Sequence, residues 1–274
     1  MGRRRLTNVL ATIAFFGSTA SLPADVLAYV SAENSSDTSS SFGVLDLTTG
    51  AFSPIATLNN IFVNDLALSS NGTLYMLDVP INGNGSAEFG TINPSTGAIT
   101  DIAANTVSLN SMGFNSSGML YGTTYTTSGP EALYSVNPAT GAASFIADLS
   151  GPISTAANQL RFIGNTAYTT SYTTPSGLYT IDLATGAGTL VGNTGLNQVN
   201  GLGGVLNGQL VDIAGTTSGA GVFDINPATG AATAGATTDR FYVFTFLETP
   251  EPSTAALVGC ALAGLLALRR RRSV

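Results

Sequence analysis

Five copies of one short turn fix most of what this chain can fold into. They are Asp46-Leu47-Thr48-Thr49-Gly50, Asn93-Pro94-Ser95-Thr96-Gly97, Asn137-Pro138-Ala139-Thr140-Gly141, Asp182-Leu183-Ala184-Thr185-Gly186 and Asn226-Pro227-Ala228-Thr229-Gly230. Their closing glycines lie 47, 44, 45 and 44 residues apart, a period in the range of propeller blades and well above that of the shorter helical repeats. An Asp or Asn side chain bonds backbone two residues on, Pro presets φ for a type I turn, and the last Gly accepts positive φ. Each copy therefore reads as a hairpin loop. Before each turn sits an apolar pair at fixed offset: Phe42 and Leu45, Phe89 and Ile92, Leu133 and Val136, Leu178 and Ile181, Val222 and Ile225.

A second hairpin recurs with the same period. It starts at an Asn and ends in a short apolar strand, as in Asn64-Asp65-Leu66-Ala67-Leu68 followed by Thr73-Leu74-Tyr75-Met76-Leu77. The other copies begin at Asn110, Asn158 and Asn200. Two hairpins per period give four strands, one blade of a β-propeller. At the ends, Leu27-Ala28-Tyr29 has the character of a second strand, and Asp239-Arg240-Phe241-Tyr242-Val243 that of a first strand. Together they complete one blade, so the expected fold is an all-β, five-bladed propeller closed by its N- and C-terminal strands, with no free sheet edge at the junction. An open solenoid would not call for complementary half-blades at its ends.

Charge and residue inventory narrow the function. The 274 residues include no His, no Trp and no Lys. Three of the nine arginines are Arg3 to Arg5 and four are Arg269 to Arg272, so between Asp25 and Leu247 only Arg161 and Arg240 face 14 acidic residues. A body so acidic is repelled by nucleic acid and by anionic membrane surfaces. Without His or Lys, a Ser-His-Asp triad, a His-ligated zinc and Schiff-base chemistry are excluded. Cys260 is the only cysteine, so no internal disulfide forms.

Both ends read as targeting segments. Arg3-Arg4-Arg5, the apolar stretch from Val9 to Phe16 and small residues at Ser18, Ala20 and Ala24 have the order of a secretory signal peptide, assigned to residues 1–24. The body is 25–248. The remainder, 249–274, holds Pro250-Glu251-Pro252, an uncharged run from Ala255 to Leu268 and Arg269-Arg270-Arg271-Arg272. That order of parts resembles the PEP-CTERM sorting signal of exported bacterial proteins: a Pro-Glu-Pro tripeptide, a hydrophobic helix and a terminal basic cluster. The resemblance implies an exosortase-type membrane protease as partner and Pro250, Glu251 and Pro252 as the processing motif. It also implies a transient stay in the inner membrane, then release to the cell envelope, outer surface or medium. The 14 apolar residues would span roughly 21 Å as a helix at ~1.5 Å each, short of the ~30 Å hydrocarbon core. Snorkelling arginines extend it, and their cytoplasmic placement obeys the positive-inside rule.

One constellation in the body could hold a ligand. Asn64, Asn110, Asn158, Asn200 and Asp239 recur at the start of each expected inner strand, with Asp65 beside the first. A ring of amide and carboxylate oxygens at a channel mouth is the hard donor set that Ca²⁺ takes. The Asn-led hairpins also resemble those of gluconolactonase-like propellers, which implies a central metal with Asn200 and Asp65 as the nearest matches. The competing reading is that each Asn bonds its own loop backbone. Tyr29, Tyr75, Tyr121 and Tyr168 share a phase too, read as packing between blades ahead of a sugar-stacking row. The expected function is an exported binding or structural protein of the cell surface or matrix, linked to exopolysaccharide or biofilm, with polysaccharide or surface proteins as ligands. A metal-dependent lactonase-like hydrolase is the alternative, and the inventory leans away from an enzyme.

Overall fold

The computed structural model describes residues 26–33, 38–80, 88–104, 107–126, 129–172, 175–197, 202–206, 208–216, 219–239 and 243–246. The signal peptide, the sorting tail with Cys260, Asn200 and Phe241 lie outside them. Among the described residues no helix is long and apolar enough to cross a membrane.

The strands form five antiparallel four-stranded sheets, the blades. The first contains β1 (Leu27–Glu33), β2 (Ser39–Asp46) and β3 (Phe52–Asn59). The second is β4 (Ile61–Leu68), β5 (Leu74–Pro80), β6 (Glu88–Ile92) and β7 (Ile99–Ala104). The third is β8 (Leu109–Phe114), β9 (Leu120–Thr124), β10 (Ala132–Val136) and β11 (Ala143–Asp148). A 3₁₀ turn, Gly151–Ile153, leads to the fourth: β12 (Ala157–Ile163), β13 (Thr166–Ser171), β14 (Gly177–Ile181) and β15 (Gly188–Asn193). The fifth is β16 (Gly204–Leu206), β17 (Gln209–Thr216), β18 (Gly219–Ile225) and β19 (Ala232–Thr238). Last comes β20 (Val243–Phe246), which returns to the first blade and pairs with β1, Tyr29 opposite Thr245. The inner strands β4, β8, β12, β16 and β20 touch in succession around the axis.

The ring is thus closed by both chain ends, as the repeat pattern predicts, but the closing strand begins later than the sequence suggests. β19 keeps its pairing with β18 as far as Thr238. Asp239 follows β19 as an exposed bend, outside any strand.

The apolar pairs explain why the blades stack. All ten of their side chains are buried. A spacing of three along a strand sends the two side chains to opposite faces. Phe42 packs with Leu66, Met76 and Ile92 of the second blade, whereas Leu45 packs with Val211, Ile213 and Val222 of the fifth. The same holds around the ring: Phe89 faces the third blade and Ile92 the first, Leu133 the fourth and Val136 the second, Leu178 the fifth and Ile181 the third. The five hydrophobic clusters are the five interfaces between blades. The tyrosines lie in these seams, as expected. Tyr29 stacks on Phe42, and Tyr75 packs on Phe89 of its own blade and Phe114 of the next.

The repeated turn has a second job besides reversing the chain. Asn93 Oδ1 accepts from the Ser95 and Thr96 N–H groups, and the Thr96 hydroxyl accepts from Ala98 N–H; at the next copy Asn137 Oδ1 accepts from Ala139 N–H and the Thr140 hydroxyl from Ala142 N–H, with φ near +70° at Gly97 and Gly141. In every blade the turn glycine also lies against the outermost strand of the preceding one: Gly50 on Thr237, Gly97 on Ala56, Gly141 on Ala103, Gly186 on Asp148 and Gly230 on Gly192. A Cβ on Gly141 would come within 2.7 Å of Ala103 Cβ, and one on Gly186 would run into the Asp148 carbonyl oxygen. Gly72, also at positive φ, has open space around it. Gly72→Ala is expected to cost about 1 kcal/mol from its left-handed backbone alone. Gly186→Ala adds backbone overlap and is expected to cost about 3 kcal/mol. Equilibrium unfolding of the two variants checks the difference, and equal losses would contradict the interface role.

Candidate functional site

The axis of the ring is where the sequence places its ligand residues, and the structure fills much of it with an ion pair. Asp65 on β4 is fully buried and meets Arg161 on β12, 96 residues away, through two contacts of 2.6 and 3.0 Å. The Asp65 oxygens also accept the N–H groups of Leu66 and, on β8, Met112, each at 2.8 Å. Arg161 donates in addition to the Met112 and Leu160 carbonyls. Three of the five inner strands are therefore tied at one point. Burial is the largest influence on the Asp65 carboxyl and pushes it up, while Arg161 and the two N–H groups pull it back.

Asn64 and Asn110 are brought together: Asn64 Nδ2 donates to the Asn110 backbone oxygen at 2.6 Å and to its side-chain oxygen at 3.1 Å. The bond runs from blade to blade, so Asn64 does not serve its own loop as the competing reading has it. Asn158 stands at the same place on β12 and is buried. With both oxygens engaged by Arg161 and two N–H groups, Asp65 offers no free lone pair of the kind a central cation needs. Downstream, a pocket of about 220 Å³ is lined by all five blades, through Ala67, Gly113, Arg161, Gly204 and Thr245 among others.

The sequence reading missed a polar cluster at the end of the ring where β8 and β12 begin, the end that carries Asn110 and Asn158. Glu131, just before β10, has no exposed surface. Its Oε2 accepts Ala157 N–H at the start of β12, its backbone bonds Ser154 and Leu149, and Oε1 has no partner among the described residues. Burial raises this carboxyl from 4.5 to about 7. Tyr172 follows β13 and Tyr125 follows β9; they are 51% and 54% exposed, respectively. Burial raises the Tyr172 phenol first, and the charges of Glu131, Tyr125 and Asp65 raise it further. The signal was present: Tyr125 and Tyr172 each stand four residues after a tyrosine of the repeat, Tyr121 and Tyr168.

Residues 248–272 match the PEP-CTERM protein-sorting motif. Signals of this kind are recognised by exosortase, a membrane enzyme, so the protein is exported and processed at the membrane. No curated protein matches the chain. Among solved structures, TolB from Acinetobacter baumannii is similar with a TM-score of 0.51 and 14% identity, over 81% of this chain and 54% of that one. The present chain thus spans about half the length of TolB, and the likeness is one of fold. A gluconolactonase from Xanthomonas campestris gives a TM-score of 0.49 and 14% identity, over 78% and 77% of the two chains.

Two measurements test this geometry. Removing one partner of the buried pair, as in Asp65→Ala or Arg161→Met, is expected to cost about 3–5 kcal/mol in chemical unfolding, and the joint replacement Asp65→Leu with Arg161→Met far less than the sum. For Glu131 the folded pKa lies above the unfolded one. Its contribution is complete below pH about 4.5 and is lost as pH rises through about 7. Melting temperature should therefore fall across that window, and Glu131→Gln should flatten the fall.

Proposed function

We propose that this chain is an exported binding or structural component of the cell surface or its matrix, acting with exopolysaccharide in a biofilm. The single observation that carries the reading is the sorting motif at residues 248–272, attached to a ring with no basic surface among its described residues other than buried Arg161. Residues 1–24 act as the signal peptide and 25–248 as the mature body. In the tail, Pro250, Glu251 and Pro252 present the chain to the exosortase, while the helix beyond them crosses the membrane with Arg269 to Arg272 on the cytoplasmic side.

The ligand face is the mouth that carries Tyr125 and Tyr172. Two half-exposed phenols at matching positions of adjacent blades offer flat apolar faces with hydrogen-bonding rims, a combination suited to the faces and hydroxyls of a sugar. A neutral polysaccharide also avoids the repulsion that an acidic body imposes on anionic partners. Asp65 is held by Arg161, which speaks for a scaffold over a lactonase built on that carboxylate.

Cell fractionation and gel-retention assays check the two halves of the proposal. Glu251→Ala is expected to leave most of the protein unprocessed in the membrane fraction. Polysaccharide prepared from the producing cells is expected to retard the wild-type protein in native gels. Joint replacement of Tyr125 and Tyr172 by Ala should remove the retardation without lowering the melting temperature. Retardation unchanged in that double variant, or metal-dependent turnover of a lactone panel, would count against the reading.

A further inference from the structure

At the junction of the first two blades, three carboxylates converge, with no cationic side chain among the described residues to balance them. Asp78 at the end of β5 and Glu88 at the start of β6 are cross-strand partners, and Asp101 lies on β7 next in the sheet. One oxygen from each lies within 4.8 Å of the others. They line a pocket of about 320 Å³ together with Asn59, Asn60 and Ile61, the link from β3 to β4. We propose that this pocket is a Ca²⁺ site, separate from the channel and independent of the polysaccharide reading.

Crowded acids alone would not argue for a cation, since exposed carboxylates often cluster. Asp78 adds the deciding observation. It is only 5% exposed, and while one of its oxygens takes the Glu88 N–H, Oδ1 has no hydrogen-bond partner among the described residues. A buried oxygen without a donor costs free energy unless something positive meets it. The chain has no Lys or His, and among the described residues the one arginine, Arg161, is held by Asp65 on the axis. Burial, then the charges of Glu88 and Asp101, lift the Asp78 carboxyl to about 6. Protonation therefore does not neutralise the group at the neutral pH of most external media. Three carboxylates in a roomy pocket whose lining includes Asn59 and Asn60 offer hard oxygen donors, which fits Ca²⁺ better than the small, strictly octahedral Mg²⁺ or the N/S-preferring Zn²⁺.

Titration of the full chain, purified in mild detergent and stripped with EDTA, tests the proposal with Ca²⁺ alone as the probe. At pH about 7.5 it should give an isotherm with Kd of about 10⁻⁵–10⁻³ M and a rise in melting temperature. The affinity should fall about tenfold by pH about 5.5, where protons compete for the carboxylates. Asp78→Asn should abolish the response yet melt higher than the wild type in EDTA, because it relieves the repulsion. Should that variant misfold, the exposed Asp101→Asn decides, with at least about tenfold weaker binding expected. Asn64→Ala should bind as the wild type does. No heat and no thermal shift up to about 10 mM Ca²⁺ would overturn the proposal. So would binding undiminished in Asp101→Asn, or loss of binding in Asn64→Ala alone.

Discussion

The odd spacing of two apolar residues on the third strand of each blade is the constraint from which the architecture follows. Had Phe42 and Leu45 stood two or four residues apart, they would share a face and the sheet could rest on one neighbour. At three apart they point to opposite sides, and each blade must be covered on both. A row of five such sheets would leave two apolar faces in water, at ~25 cal/mol per Å² of apolar surface. Curving the row until Val222 reaches Leu45 removes both at once. The shared first blade, with β20 from one end of the chain beside β1 from the other, then holds the ring shut without a disulfide.

Closure also sets how near the blades approach, and the turn glycines meet that demand. Their left-handed backbone would admit an asparagine at modest cost. Their contact with the preceding blade would not, because a side chain at Gly186 or Gly50 would displace backbone atoms of the neighbouring strand. The threonine before each glycine, whose hydroxyl takes the N–H two residues on, keeps the turn narrow enough to enter that space. One five-residue motif is thus repeated for two reasons, local reversal and contact with the blade behind.

Much of this was legible in the sequence because repetition reports structure at short range. The turns, the four strands per period and the complementary half-blades follow from spacing alone. The start of β20 did not, since how far β19 continues to pair depends on its neighbour β18 rather than on its own residues. The axis was legible only in part. Asn64 and Asn110 recur in phase, but what Asn64 bonds is decided between blades. The Asp65–Arg161 pair joins residues from the second and fourth blades, and Arg161 breaks the repeat where Ala67 and Gly113 stand in register. Glu131 sits outside the repeat altogether. Residues that depart from a repeat carry information that periodicity cannot supply, because their partners are chosen by the closed ring.

Those departures share one electrostatic problem, and the body solves it in different ways. An acidic chain without lysine or histidine has few counter-charges to spend on buried carboxylates. Asp65 takes the one arginine among the described residues and stays paired on the axis. Glu131, with no cation beside it among the described residues, is met there by one N–H and moves its titration toward neutrality, where a proton replaces the missing charge at modest acidity. Asp78 is crowded by two further acids, so a single proton leaves the group anionic. Leaving such charges uncompensated inside a closed ring would oppose the approach of the blades that the apolar pairs demand. Compensation has to come from within the chain for Asp65 and from the surrounding solution for the other two, which makes the environment beyond the membrane part of what holds the ring together.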